Sequence, residues 1–298
     1  MVKMVQEITV KSILNKHKRR DEWFLDDYSV NPYSGCSFNC LYCYSRGSKY
    51  GKNRTPGILA KTNAPELLER QLFRRASRAE YGIIAISTST EPYMPVEEKL
   101  QLTKKVLQVC LRYRFPVHIL TKSTLVERDL ELLKEIDRKA ILPDDLKTKL
   151  SHGVLISFSF STLDEQLARR LEPGAPGPVE RLKTLKMCKQ QGLKAGVCYI
   201  PVLPFISDTE QDLQRMINTA ASYGADYCLV GALTLFGKGT EGSKYLYYRF
   251  LERHYPTLVP KYRKLYRVFS SPQKQYQKRL EDSANTLCQR YGIDCRIV

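Results

Sequence analysis

The chain has 298 residues, with 48 Lys+Arg against 31 Asp+Glu, a formal net charge of +17, and is 43% hydrophobic. That is too apolar for a disordered polyelectrolyte and enough for one domain of α/β-barrel size or two small ones. With no run near the roughly 18 apolar residues of a membrane span, and no secretory core in MVKMVQEITVKSILNKHKRRDEW, the cytoplasm is expected, where the cysteines stay reduced.

A first strand is expected near 29–32, the polar stretch 46–61 reads as a loop, and 64–80 as a helix. GIIAIS (82–87) has the form of a buried strand. Over 97–113, Leu100, Val106, Leu107, Cys110 and Leu111 recur at helical spacing. Strand 116–123 and helix 125–136 follow, then DRKAILPDDLKTKLS (137–151), which reads as a surface insertion. Strand 153–161, helices 164–171 and 179–191, strand 194–204, helix 209–223 and strand 225–235 complete the alternation. Six strand–helix repeats argue parallel βαβ units, closed as a partial (β/α)6 TIM-type barrel. The expected organisation is a lead-in over 1–28, a core barrel over 29–235 and a basic, Tyr-rich extension over 236–298. That last segment holds thirteen Lys/Arg, five Asp/Glu and eight tyrosines.

The sharpest motif is GCSFNCLYCY, with Cys36, Cys40 and Cys43 at C-x3-C-x2-C in a loop after the first strand. Thiols this close together leave no room for separate elements between them. Zinc needs a fourth ligand, and no Cys or His pair follows. A cubane iron–sulfur cluster also has four sites, and one iron left open suits a cluster that does chemistry.

At these residues the chain resembles the radical S-adenosylmethionine (SAM) superfamily, whose C-x3-C-x-aromatic-C signature places Tyr42 at the aromatic position. The resemblance extends to NPYSGC (31–36), STSTEPYMP (87–95), ILTKS (119–123) and LEPGAPGPVERL (171–182), which look like the spore photoproduct lyase branch, often labelled DNA-repair-photolyase-like. It implies a [4Fe–4S] cluster on Cys36, Cys40 and Cys43, and SAM chelating the fourth iron. It further implies reductive cleavage of SAM to a 5′-deoxyadenosyl radical that abstracts hydrogen, fed by a reductant such as flavodoxin or ferredoxin. By place in the family pattern, Thr90 and Glu91 match the segment that binds the SAM ammonium, Lys122 the contact to its carboxylate, and Ser159 a further SAM contact. Pro201–Pro204 falls where the family approaches adenine with an apolar patch.

The residues also carry plainer readings. Glu91 can cap a turn before Pro92, and Asn31 can either orient the cysteine loop or begin a turn. Ser157, Ser159 and Ser161 share one strand face, which suggests a polar ligand. Lys122 is costly to bury at a strand end without an anion. Glu172 and Arg181 read equally as a loop brace and as a cofactor contact.

The branch's hydrogen-donor cysteine, beside the STSTE segment, has no counterpart here, which leaves Cys198 or Cys228 as candidate donors, Cys198 first. Cys110 and Cys188 read as core. Cys288 and Cys295 are too few for an auxiliary cluster. The interleaved Tyr245, Tyr247, Tyr248, Arg249, Tyr262, Arg263, Tyr266 and Arg267 suit base stacking with phosphate contacts, or equally the packing of a tail onto a barrel. The expected function is radical SAM chemistry on a nucleic acid, for repair or modification. The alternatives are the same chemistry on a peptide or small anionic metabolite, and a non-catalytic iron–sulfur or zinc protein that binds nucleic acid.

Overall fold

The computed structural model describes residues 4–51, 57–237 and 239–298. Residues 1–3 of the lead-in, 52–56 of the 46–61 loop and Lys238 lie outside the described residues. The chain enters through β1 (Val5–Ile8), β2 (Leu14–Lys16), β3 (Tyr28–Val30), β4 (Tyr33–Ser34), β5 (Ile58–Lys61) and α1 (Ala64–Ala76). Strand and helix then alternate: β6 (Ile84–Ile86), α2 (Val96–Leu100), α3 (Leu102–Arg112), β7 (Val117–Thr121), α4 (Leu130–Lys139) and β8 (Val154–Phe160). There follow α5 (Glu165–Leu171), α6 (Pro178–Gln190), β9 (Lys194–Val202), α7 (Glu210–Ser222) and β10 (Cys228–Ala232), and then α8 (Ser243–His254), α9 (Val259–Leu265) and α10 (Lys274–Tyr291).

The main sheet runs β10-β9-β8-β7-β6-β3-β2. Every neighbouring pair is parallel except β2 with β3. Six parallel strands with helices outside make the partial (β/α)6 barrel that the alternation predicts. Their runs are apolar on successive residues because both faces are covered. A second sheet, β1-β5-β4, lies beside it. Its β5 falls inside the stretch read as loop, since a four-residue strand pairing with a partner fifty residues away leaves no local pattern.

The expected helix over 97–113 is broken at Gln101, whose φ is 52°. The cause is Glu97: its buried carboxylate accepts from Thr103 N (3.0 Å) and Lys104 N (3.2 Å), capping a fresh helix, and pairs with Arg128 at 2.9 Å.

The 137–151 segment is a plug rather than a surface insertion. Leu146 and Leu150 join Leu25, Leu155, Tyr227, Leu229 and Ile297 in one apolar cluster. The β2–β3 connection spans the barrel's open seam, where a Cβ on Gly231 would meet the Trp23 ring at 3.0 Å. Above this plug, the His118 ring of β7 bonds the Phe24 carbonyl and the Ser157 hydroxyl, each at 2.8 Å, and Ser157 meets the Tyr227 hydroxyl at 2.9 Å.

At the other end of the chain, α10 packs against α7 and β10. Helices α8 and α9 bury Tyr247, Tyr262 and Tyr266 against Leu203, Leu233, Leu235 and Tyr42. Tyr262 donates to the Pro204 carbonyl, Tyr266 to the Leu233 carbonyl (2.8 Å), and Tyr247 meets Tyr262 at 3.0 Å. The base-stacking expectation is therefore corrected for these three rings, whose apolar bodies and hydroxyls are fully engaged.

Burial pushes the His118 pKa down to about 4. The unfolded chain therefore takes up a proton here, between about pH 6.5 and 4, that the folded chain refuses, and stability is lost as pH falls through that window. The loss amounts to roughly 3 kcal/mol. Asp26, raised to about 6 chiefly by burial, acts in the opposite sense over part of the same range. The difference between wild type and His118→Asn isolates the histidine: urea unfolding of the variant should show a shallower stability decline across this window, and an unchanged decline would refute the assignment.

Candidate functional site

The cysteine loop leaves β4 at Gly35, whose φ of +80° and close approach to the Gly57 carbonyl (2.3 Å from a built Cβ) admit only glycine. The loop has no regular structure, so its polar backbone is satisfied from elsewhere. Leu41 N donates to the Leu171 carbonyl (2.9 Å) and Gly174 N to the Phe38 carbonyl (3.0 Å). A Cβ on Gly174 would lie 2.5 Å from Ser37 O, so the Glu-Pro-Gly turn that ends α5 presses directly on the loop. Arg46 reaches back to the Cys40 carbonyl at 3.3 Å and bonds Asn39 Oδ1.

Tyr42 turns inward and donates its hydroxyl to Glu172. The same carboxylate accepts from Ser161 (2.8 Å) and from Arg181, with Glu172 and Arg181 each 1% exposed. Burial alone would raise the Glu172 carboxyl, but Arg181, Lys122 and the Tyr42 hydrogen bond outweigh it and hold it below its ordinary range. Of the two readings for this pair, the structure gives the brace: Arg181 also donates to the Pro176 (2.8 Å) and Ser159 (2.9 Å) carbonyls.

Lys122, just beyond β7, places Nζ 2.6 Å from Ser159 Oγ and 5.8 Å from the Tyr42 ring centre. Ser159 is in register with Cys198 across β8 and β9, and its hydroxyl also donates to the Ile200 carbonyl at 3.2 Å. Tyr42, Lys122, Ser159 and Cys198 thus meet at one place at the C-terminal ends of the strands, where barrel sites form. Burial, eased by Lys122, puts the Cys198 thiol at about 12.

Thr90 donates to the Gly35 carbonyl, tying the segment after β6 to the cysteine loop. Glu91 accepts from Thr121, from Lys122 N (3.0 Å) and from Tyr93 N (3.1 Å). The carboxylate thereby clamps the end of β7 and the turn before Pro92. Of the two seryl hydroxyls on β8, Ser157 serves His118 and Ser159 serves Lys122, while Ser161, just past the strand, serves Glu172. Val202 and Leu203 of the Pro201–Pro204 segment are wholly buried, so these two side chains belong to the core. Cys110, Cys188, Cys228 and Cys288 are buried too, and the fields of Cys288 and Cys295 both reach Cys228.

Two features escaped the sequence reading, the role of Thr121 and the backbone conformation of Ser87, while Asn31, read as orienting the cysteine loop or beginning a turn, holds the STSTE turn instead. Asn31 Oδ1 accepts from Ser89 N and Ser89 Oγ, each at 3.1 Å, which shows how the first strand anchors the STSTE turn. Thr121 bonds Glu91. Ser87 sits at φ 64°, 2% exposed, with a hydroxyl that has no protein partner. A strained, unpartnered polar group at a strand's C-terminal end is a ready ligand contact. No sequence pattern marks a left-handed serine.

Three thiols on one loop are the donor set through which this chain would hold an iron–sulfur cluster. Among the described residues no three His, Cys, Asp or Glu side chains converge on a single-ion position. Burial pushes Cys40 well above the usual thiol range, against the pull of Lys122, and puts Cys36 at about 11. Cys40 feels both Cys36 and Cys43, and Cys36 feels Glu91 and Cys43. A cluster held by these thiols would favour their thiolate forms against that burial. The nearby carboxylates Glu91 and Glu172 are engaged internally, so thiols are the available soft donors.

The family model of the radical SAM superfamily matches residues 30–220. An uncharacterized protein of Mycobacterium tuberculosis (strain ATCC 25618 / H37Rv) is 30% identical over 294 residues, covering 96% of this chain and 81% of its own. Another, from Methanocaldococcus jannaschii, is 27% identical over 187 residues, 61% of this chain and 63% of its own. Among solved structures, a spore photoproduct lyase mutant with bound AdoMet and dinucleoside spore photoproduct has a TM-score of 0.66 at 16% identity, covering 97% of this chain and 80% of the other. Streptococcus suis SuiB bound to S-adenosylmethionine has a TM-score of 0.50 at 18% identity, covering 79% and 48%. These likenesses show a shared fold.

Replacing Arg181 by Met leaves the Glu172 carboxylate buried without its counter-charge, which should cost about 3–5 kcal/mol. Denaturant unfolding reads this directly; a cost under 1 kcal/mol would mean the pair is not the brace described.

Proposed function

The chain belongs to the radical SAM superfamily, and from that premise we propose that Cys36, Cys40 and Cys43 hold a [4Fe–4S] cluster at the barrel mouth and that the enzyme abstracts hydrogen from a nucleic acid. When bound, the cluster and SAM supply one-electron chemistry that yields a 5′-deoxyadenosyl radical. The observation that carries the reading is the meeting of Tyr42, Lys122 and Ser159, with Lys122 close enough to act on the Cys40 thiol.

Lys122 is the cation available to a cofactor carboxylate, and its bond to Ser159 aims it there. Ser159 also offers a hydroxyl, and Ser87 a second one without a protein partner. Thr90 and Glu91 position rather than present: each is bonded to backbone that carries the site, Thr90 to Gly35 and Glu91 to Lys122. Tyr42 fixes the loop through Glu172 and gives Lys122 an aromatic neighbour.

Cys198 is the hydrogen donor in this reading. Its raised pKa keeps the S–H intact at neutral pH, so it suits atom transfer and not nucleophilic attack. The S–H bond breaks as a C–H bond forms on the product radical, and one electron with one proton restores the thiol. The family requires an external reductant, here a flavodoxin or ferredoxin. A nucleic-acid substrate is supported by the net charge of +17, since neutralised phosphates release counterions on binding.

Anaerobic reconstitution should load about four irons per chain, lost with Cys36→Ala, Cys40→Ala or Cys43→Ala. Lys122→Ala should keep the iron and weaken SAM binding at least tenfold; unchanged affinity would remove Lys122 from the site. Cys198→Ala should still cleave SAM but fail to turn over substrate to closed-shell product, and full product yield would exclude it as donor. Deuterium transfer from labelled oligonucleotides into 5′-deoxyadenosine tests the substrate class, and its absence with both DNA and RNA would favour a peptide or small anionic metabolite.

A further inference from the structure

Six aromatic rings stand exposed among the described residues: Tyr44, Tyr50, Phe73, Phe205, Tyr245 and Phe269. Five of them lie on segments gathered at one end of the barrel. Tyr44 and Tyr50 follow the cysteine loop, and the Tyr44 hydroxyl donates to the Thr88 carbonyl just beyond β6. Phe205 stands in the turn after β9. Tyr245 is on α8, whose first residue, Ser243, donates its N–H to Arg46 O at 3.3 Å. Phe269 precedes Ser270, whose carbonyl accepts from Leu235 N (2.7 Å) beyond β10. Phe73 alone lies elsewhere, on α1 against Tyr113.

Phe205 is held out at a cost. Its φ is 63°, a conformation that a bulky residue adopts only under constraint. The constraint is Asp208, which accepts from Phe205 N at 2.8 Å and is itself anchored by the Tyr276 hydroxyl at 2.6 Å. The ring meets Tyr262 edge-on at 5.7 Å and remains 43% exposed, with Lys261 Nζ 5.6 Å from its centre. Lys49 Nζ likewise sits 5.0 Å from the Tyr50 centre. Val268 and Phe269 form an exposed tip, 70% and 66% accessible, directly after Arg267.

Rings that alternate with cations do not suit a lipid or an apolar protein partner, which would meet a continuous aliphatic patch. They suit bases with phosphates between them. A base inside a duplex has both faces covered, so only unpaired nucleotides offer a face to a protruding ring. We propose that this aromatic and cationic rim binds unpaired nucleotides of DNA or RNA, with Phe205 and Phe269 stacking on bases and Lys261 and Arg267 on phosphates. The proposal rests on the nucleic-acid reading above and adds to it the strand state and the residues that recognise it.

Fluorescence anisotropy of the reconstituted holoenzyme with a labelled single-stranded DNA 12-mer, its RNA equivalent and the DNA duplex, at stepped salt, tests it. A single strand should bind more tightly than duplex, and the DNA and RNA arms identify the sugar. Phe205→Ala and Phe269→Ala should each weaken that binding roughly tenfold, with Phe205→Tyr near wild type. Lys261→Ala should lower the log-salt slope by about one. Iron content and thermal melting confirm that each variant is folded, and Phe269 at its exposed tip gives a reading even if Phe205→Ala misfolds. Wild-type affinity in folded alanine variants, or duplex binding equal to single strand, would overturn the rim while leaving the nucleic-acid reading intact. No binding of any strand at low salt would overturn both.

Discussion

One buried carboxylate holds the mouth of this barrel together. Glu172 receives Tyr42 from the cysteine loop, Ser161 from just past β8 and Arg181 from α6, so a loop far back in the sequence and the two elements flanking Glu172 share one anion. The cysteine loop has no ladder of its own to fix it. Its position comes from this knot, from the two backbone bonds to residues 171 and 174, and from the close seat of Gly174 on Ser37. A buried ion pair adds little net stability relative to an apolar substitute, but it is costly to break and specifies one arrangement. For a loop that has to present three thiols in a fixed relation, that specificity matters more than stability.

The same logic divides the polar residues of the site. Groups committed to backbone or to one another, such as Glu91, Thr90, Thr121 and Ser161, set geometry. Lys122 and Ser159 are bonded to each other, and the Ser87 hydroxyl has no protein partner, so under the proposed function these are the polar groups that would meet a cofactor. Family membership gives the class of chemistry, and the nucleic-acid reading rests on charge and surface.

The six parallel strands are legible in the sequence because burial on both faces forces continuous apolar runs, and the three cysteines because their spacing permits no packing role. What the sequence hides has physical causes. Gln101 breaks a helix because Glu97, paired with Arg128 from the next unit, turns its carboxylate to cap the following helix, which helical periodicity cannot register. Leu142, Leu146 and Leu150 recur at helical spacing, yet their acidic and basic neighbours read as surface until the open lower end of the barrel is seen to need a plug. The tyrosines of 236–298 show the opposite ambiguity. Interleaving with Lys and Arg fits both a binding face and a packed helix, and burial of Tyr247, Tyr262 and Tyr266 decides for packing. The exposed rings Phe205 and Phe269 carry no such pattern at all.

In the proposed site the three loop thiols would leave one iron open to SAM. Electron paramagnetic resonance with pulsed nuclear detection, on the reduced, reconstituted protein with SAM labelled with nitrogen-15 at its amino group, measures this directly. A hyperfine coupling between that nitrogen and the cluster is the predicted result. A cluster signal with no coupling to the labelled nitrogen would contradict the account.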